Sequence, residues 1–142
     1  MVDWLQVSYD STFYGYINGD ILVHSSLDGI LKMLSRQHIS SHLLVVGRRY
    51  NTYVDPSFSE FLTTREMNDR FILDNTRLNE QFIPVAQDYF IFTKHTFTKR
   101  NVLPVVIGRN RYDNYLVTIC KLDPSCNLID GSQSSISFLS FF

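Results

Sequence analysis

The run Leu43-Leu44-Val45-Val46, closed by Gly47, most constrains the fold, because a short continuous apolar stretch of this kind suits a strand buried on both faces. A second buried strand is expected at Tyr89-Phe90-Ile91-Phe92, led in by Pro84-Val85-Ala86, with Gln87 and Asp88 where it begins. Phe13-Tyr14-Gly15-Tyr16-Ile17 is aromatic and β-favouring and stops at Asn18-Gly19, a pair that readily turns. Leu103-Pro104-Val105-Val106-Ile107 is a further apolar run, passing into Gly108-Arg109-Asn110-Arg111.

Helical spacing alternates with these runs. Ser25-Ser26-Leu27-Asp28 is a helix-start signature, and Leu27, Ile30, Leu31 and Leu34 follow on one face, so a helix is predicted from about Ser26 to Gln37. Thr63-Thr64-Arg65-Glu66 starts a second, with Met67, Phe71 and Leu78 on a shared face. Tyr112, Tyr115, Leu116, Ile119 and Cys120 mark a third, with Asp113 and Asn114 in its first turn, where the helix dipole favours a negative side chain. The expected class is α/β, a mixed sheet flanked by helices. Residues 1–130 read as one domain. Residues 131–142, where serines are interleaved with apolar side chains, read as an atypical tail, disordered or loosely docked.

With 44% hydrophobic and 14% aromatic residues in 142, the chain has material for one buried core. A net charge of −1 gives no broad attraction to nucleic acid or an anionic membrane. Neither a membrane-spanning run nor a signal peptide is visible, so the sequence as written reads as cytoplasmic. Cys120 and Cys126 fit neither a zinc ribbon nor a redox C-x-x-C and are expected as two thiols. His24, His38, His42 and His95 lack metal-ligand spacing and suit surface or capping roles.

Asp20 carries the chemical interest. A strand ending in a polar turn sets its carboxylate at the rim of an α/β sheet, where such sheets bind ligands. Mg²⁺ or Mn²⁺ takes oxygen ligands, often one or two carboxylates with phosphates and water making up the rest. Asn18 would add an amide oxygen, and Gly19 would let backbone approach a phosphate. Read locally, Asn18-Gly19-Asp20 is equally a plain hairpin turn, and Asp113 equally a helix cap.

Phe13 to Ile21 resembles the strand of GT-A nucleotide-diphospho-sugar glycosyltransferases that carries D-x-D or its shortened N-x-D form. Leu43 to Asn51 resembles their V-G-R-R strand, Asp88 to Phe92 their acidic-aromatic strand, and Ile107 to Leu116 their I-G-R-x-x-W-D-N-W-L block. The resemblance implies a partial GT-A fold, a nucleotide-sugar donor and a hydroxyl acceptor. Asp20 would bind the Mn²⁺ or Mg²⁺ that neutralises the departing diphosphate. Asp113 would be the general base, with Asp88 as the alternative. Asn18, Gly19, Arg109 and Asn114 would contact substrate, and Arg48, Arg49 and Arg111 are further candidates for a phosphate.

Two departures stand out. The nucleotide-binding half that precedes the metal motif in such enzymes is missing, and no histidine follows Leu128-Ile129-Asp130-Gly131-Ser132, where many members place one for the metal. Both point to a truncated or alternatively ended product, expected to be inactive in isolation and either marginally stable or self-associating through an exposed sheet edge. The competing expectation is a protein-interaction module without catalysis. A hydrolase is disfavoured for want of a nucleophile motif such as G-x-S-x-G.

Overall fold

The computed structural model describes residues 7–18, 21–37, 42–52, 64–78, 87–98, 112–132 and 138–141. In chain order the elements are β1 (Phe13–Ile17), β2 (Ile21–Val23), α1 (Ser26–Arg36), β3 (His42–Gly47), β4 (Tyr50–Thr52), α2 (Arg65–Leu78), β5 (Tyr89–Thr93), α3 (Tyr112–Leu122), β6 (Cys126–Asp130) and β7 (Phe138–Phe141). The predicted run Leu103–Ile107 lies outside the described residues. No described helix is long and apolar enough to cross a membrane.

The chain is α/β. Its principal sheet is mixed, in the order β1-β5-β3-β6. β5 is antiparallel to both β1 and β3, and β6 is parallel to β3, so β1, β3 and β6 run one way and β5 the other. The carboxyl ends of β1, β3 and β6 therefore share one rim with the start of β5, as the pairs Ile17↔Tyr89, Gly47↔Tyr89 and Val46↔Asp130 require.

Alternation along β3 and β5 explains why both read as unbroken apolar runs. Leu44, Val46, Phe90 and Phe92 join Tyr14, Leu116 and Cys120 on the face covered by α3. Leu43, Val45, Tyr89 and Ile91 join Leu34 on the other, where Leu27, Ile30 and Leu31 of α1 pack. Each strand residue is thus claimed by one helix layer or the other. Truncating a side chain such as Leu44, which is fully buried, is worth about 2–5 kcal/mol.

The start of α1 is capped differently from its sequence signature. Ser25 has helical backbone angles and makes no side-chain capping bond. His24 does that work: its Nδ1 accepts from the Ser26 backbone N–H at 3.0 Å and lies 2.9 Å from the Ser26 hydroxyl. Ser25 instead reaches α2, donating its backbone N–H to Asp69 Oδ1 at 2.8 Å and its hydroxyl to Asp69 Oδ2. The capping role expected for a histidine is found here.

A smaller sheet, β2-β7-β4, packs against α2. Thr64 caps α2 as its motif predicts, its Oγ1 accepting from the Met67 N–H at 3.2 Å. Of the predicted face Met67 is exposed and Phe71 half-buried, the Leu78 side chain lies outside what is described, and Ile72 is the fully buried one among the described side chains.

Two further expectations are corrected. Cys120 and Cys126 are joined as a disulfide, tying the end of α3 to the start of β6. Their spacing resembled no known motif because the bond depends on a tight turn, in which the Cys126 N–H donates to the Asp123 carbonyl at 2.9 Å. Nor is the tail merely appended: residues 138–141 form the middle strand of the smaller sheet.

Candidate functional site

The shared rim of the principal sheet gathers the acidic residues. Asp88 sits immediately before β5, where its N–H donates to the Gly47 carbonyl at 2.9 Å. That bond continues the β3–β5 ladder by one residue and draws the carboxyl under cover, leaving Asp88 4% exposed. A carboxylate so buried requires a partner. Arg49, just past the end of β3, supplies it: its guanidinium Nη1 donates to Asp88 Oδ1 and its backbone N–H to Oδ2 at 3.3 Å. The Arg49 Nε donates to Asn51 Oδ1 at 2.8 Å, which fixes the plane of the guanidinium.

Burial pushes the Asp88 carboxyl above its ordinary pKa; the Arg49 charge and hydrogen bonds oppose that rise, and the nearby Asp113 carboxylate adds to it. Asp113 lies in the first turn of α3, half-buried. Among the described residues no hydrogen bond or ion pair engages its carboxylate. Tyr112 holds this end of α3 in place, its ring lying edge-on to Tyr16 of β1 at 6.2 Å.

Asn18 follows β1 on the same rim, and its Oδ1 accepts from the Tyr16 hydroxyl at 3.2 Å. Tyr16 thus touches both Asn18 and Tyr112, and it links the two sides of the candidate site. Tyr112 and Tyr115 pack against the core, as their helical spacing predicts. Asn114 is exposed beside Asp113. Gly19, Asp20, Arg109 and Arg111 lie outside the described residues.

The far side of the rim holds a group that sequence reasoning missed. Asp130 ends β6, and its Oδ1 accepts from the Ser132 N–H at 2.9 Å. Hydrogen bonds from Ser132 hold its carboxyl below the ordinary value, and the Arg48 charge contributes. The Ser132 hydroxyl accepts from the Arg48 N–H at 3.1 Å, and the Gly131 N–H donates to the Val46 carbonyl at 2.7 Å. Asp130-Gly131-Ser132 carries the turn signal that would have located this bend.

Tyr89 sets the spacing between these two ends. Its side chain is fully buried and passes beside Gly47 and Gly131. A Cβ at Gly47 would meet the Tyr89 hydroxyl oxygen at 2.0 Å, and one at Gly131 would meet it at 2.6 Å. Both glycines are required by that close approach rather than by backbone angle. Burial raises the pKa of the phenol well above its ordinary value, and the Asp130 charge adds to the effect.

The donors exposed on this rim are oxygens, the chemistry a hard divalent cation selects. Asp88 is an exception, since Arg49 already engages both its oxygens. Among the described residues no group of three or more His, Cys, Asp or Glu side chains is arranged to hold a metal.

No family model, curated protein or solved structure matches this chain.

Proposed function

We propose that this chain is a partial GT-A-type, glycosyltransferase-like domain whose rim faces a nucleotide-sugar diphosphate and a hydroxyl acceptor. The observation that carries the reading is the placement of Asp88 at the start of β5, on the carboxyl rim of the principal sheet, and of Asp113 in the first turn of α3, whose Tyr112 ring lies against Tyr16 of β1. Their roles divide by environment. Asp88, buried and held by Arg49, braces the loop after β3. Asp113, half-buried and bonded to no described side chain, is the carboxylate able to accept a proton from an acceptor hydroxyl.

A divalent cation bound through Asp20 would neutralise charge on the leaving diphosphate. The Asn18 amide stands on the same rim to orient a phosphate or a water.

A second reading, a protein-interaction module, is favoured by the engagement of Asp88 with Arg49, which makes that carboxylate structural. Thermal unfolding with Mn²⁺ and UDP or GDP separates the two, because a ligand that binds only the folded state raises its melting temperature. The transferase-like reading expects a rise in the wild type that Asp20→Ala abolishes. No rise, or an equal rise in both proteins, favours the interaction module.

A further inference from the structure

The bridge between Cys120 and Cys126 closes a turn that backbone hydrogen bonds already hold shut. The Asp123 N–H donates to the Cys120 carbonyl at 3.2 Å, and the Cys126 N–H donates to the Asp123 carbonyl at 2.9 Å. Asp123 Oδ1 accepts from the Ser125 N–H at 2.9 Å and from the Ser125 hydroxyl at 2.6 Å. The pairing of Cys126 with His42 fixes the far side of the turn against β3. With both backbones so placed, the two Cα atoms stand 5.3 Å apart, a separation that a disulfide spans without moving the chain.

The two cysteines differ in exposure. Cys120 is 2% exposed and belongs to the core cluster with Leu44, Phe92 and Leu116. Cys126 is half-buried and packs against that cluster. Reduction begins when a thiolate attacks one sulfur and the other leaves as a thiolate. Burial blocks attack at Cys120. Attack at Cys126 expels negative charge onto a sulfur enclosed by apolar side chains, which is costly. Either route therefore requires the junction of α3 and β6 to open first.

We propose that Cys120–Cys126 is a permanent structural crosslink, not a reversible thiol switch, and that the chain reaches its native state in an oxidising compartment. Formation joins the two sulfurs and releases both thiol protons; the two electrons pass to a small-molecule or protein disulfide, which is cleaved to two thiols. Secretory and extracellular settings sustain such an oxidant, whereas the cytosol keeps thiols reduced. A cytoplasmic setting, expected from the sequence as written, would leave both cysteines as thiols. The bridge lies at the opposite end of β3 from the acidic rim, so the proposal stands apart from the transferase-like reading.

Two arms test it. Full-length bridged chain, folded or in urea, is exposed to reduced glutathione, and its free thiols are alkylated and counted by mass. Thiols should appear at least about tenfold more slowly in the folded chain than in urea. Equal rates would overturn the shielded crosslink and favour a switch. In the second arm the same chain is expressed with and without an added export signal and alkylated at lysis. The exported chain should carry the bridge, and the chain kept in the cytosol should carry two thiols and be digested several-fold faster by protease. A cytosolic chain as protease-resistant as the exported one would overturn the need for an oxidising compartment.

Discussion

Arg49 engages both carboxylate oxygens of Asp88, one through its guanidinium and the other through its backbone N–H. The pair closes the rim end of β3 against the start of β5.

Arg49→Met should destabilise the fold by about 3 kcal/mol, because it strands a buried carboxylate without its cation. Asp88→Asn, which leaves no unpaired negative charge, should cost less. Burial already holds the Asp88 pKa above its unfolded value. The stabilisation linked to its proton is therefore complete below the unfolded value and lost as pH rises through the folded one. Urea unfolding across the acid range should show Arg49→Met recovering towards wild type as pH falls.

Asp69 behaves in the opposite sense. Burial alone would raise its pKa, but hydrogen bonds from the Ser25 hydroxyl and N–H, with the His24 and Arg65 charges, bring it below the ordinary value. Its stabilising contribution is present above the unfolded pKa and is lost as pH falls through the folded one. Ser25→Ala should cost about 1–2 kcal/mol at neutral pH. It should also flatten the loss of stability below about pH 4, read from melting temperatures.

The two glycines around Tyr89 predict different rescues. Gly131→Ala meets chiefly the phenolic oxygen, so Tyr89→Phe should restore most of the lost stability. Gly47→Ala also meets ring carbons at 2.3 and 2.5 Å, so the same change should restore little. Overpacking of this kind costs about 1–3 kcal/mol, within reach of chemical denaturation.

Reducing the Cys120–Cys126 disulfide should lower stability by about 2 kcal/mol, the entropy of a short closed loop. A melting temperature unchanged by dithiothreitol, with both thiols shown to be free, would contradict this.

How much was legible in the sequence depended on range. β3, β5, α1 and α3 follow from local periodicity, and each was predicted near its observed bounds. The position of Asp113 in the first turn of α3 came from the same signal. Partners chosen across space were not visible: Arg49 for Asp88, Asp69 for Ser25, Cys126 for Cys120. β7 is hidden in the sequence because Ser140 within it, and the serines that precede it, disguise an element defined by the strands on either side. Asp130 was overlooked because its importance lies in where β6 ends relative to β3, a property of the sheet and not of its own segment.

Paramagnetic broadening by Mn²⁺ in the presence of UDP tests the proposed site most directly. β3 separates the two rims by roughly 15–20 Å, so a cation bound at the acidic rim distinguishes them. Amide signals of Asn18, Asp113 and Asn114 should broaden first, while those of Thr96 and Leu122 at the opposite end stay sharp. Even broadening across the molecule, or none at all, would contradict a diphosphate-binding rim.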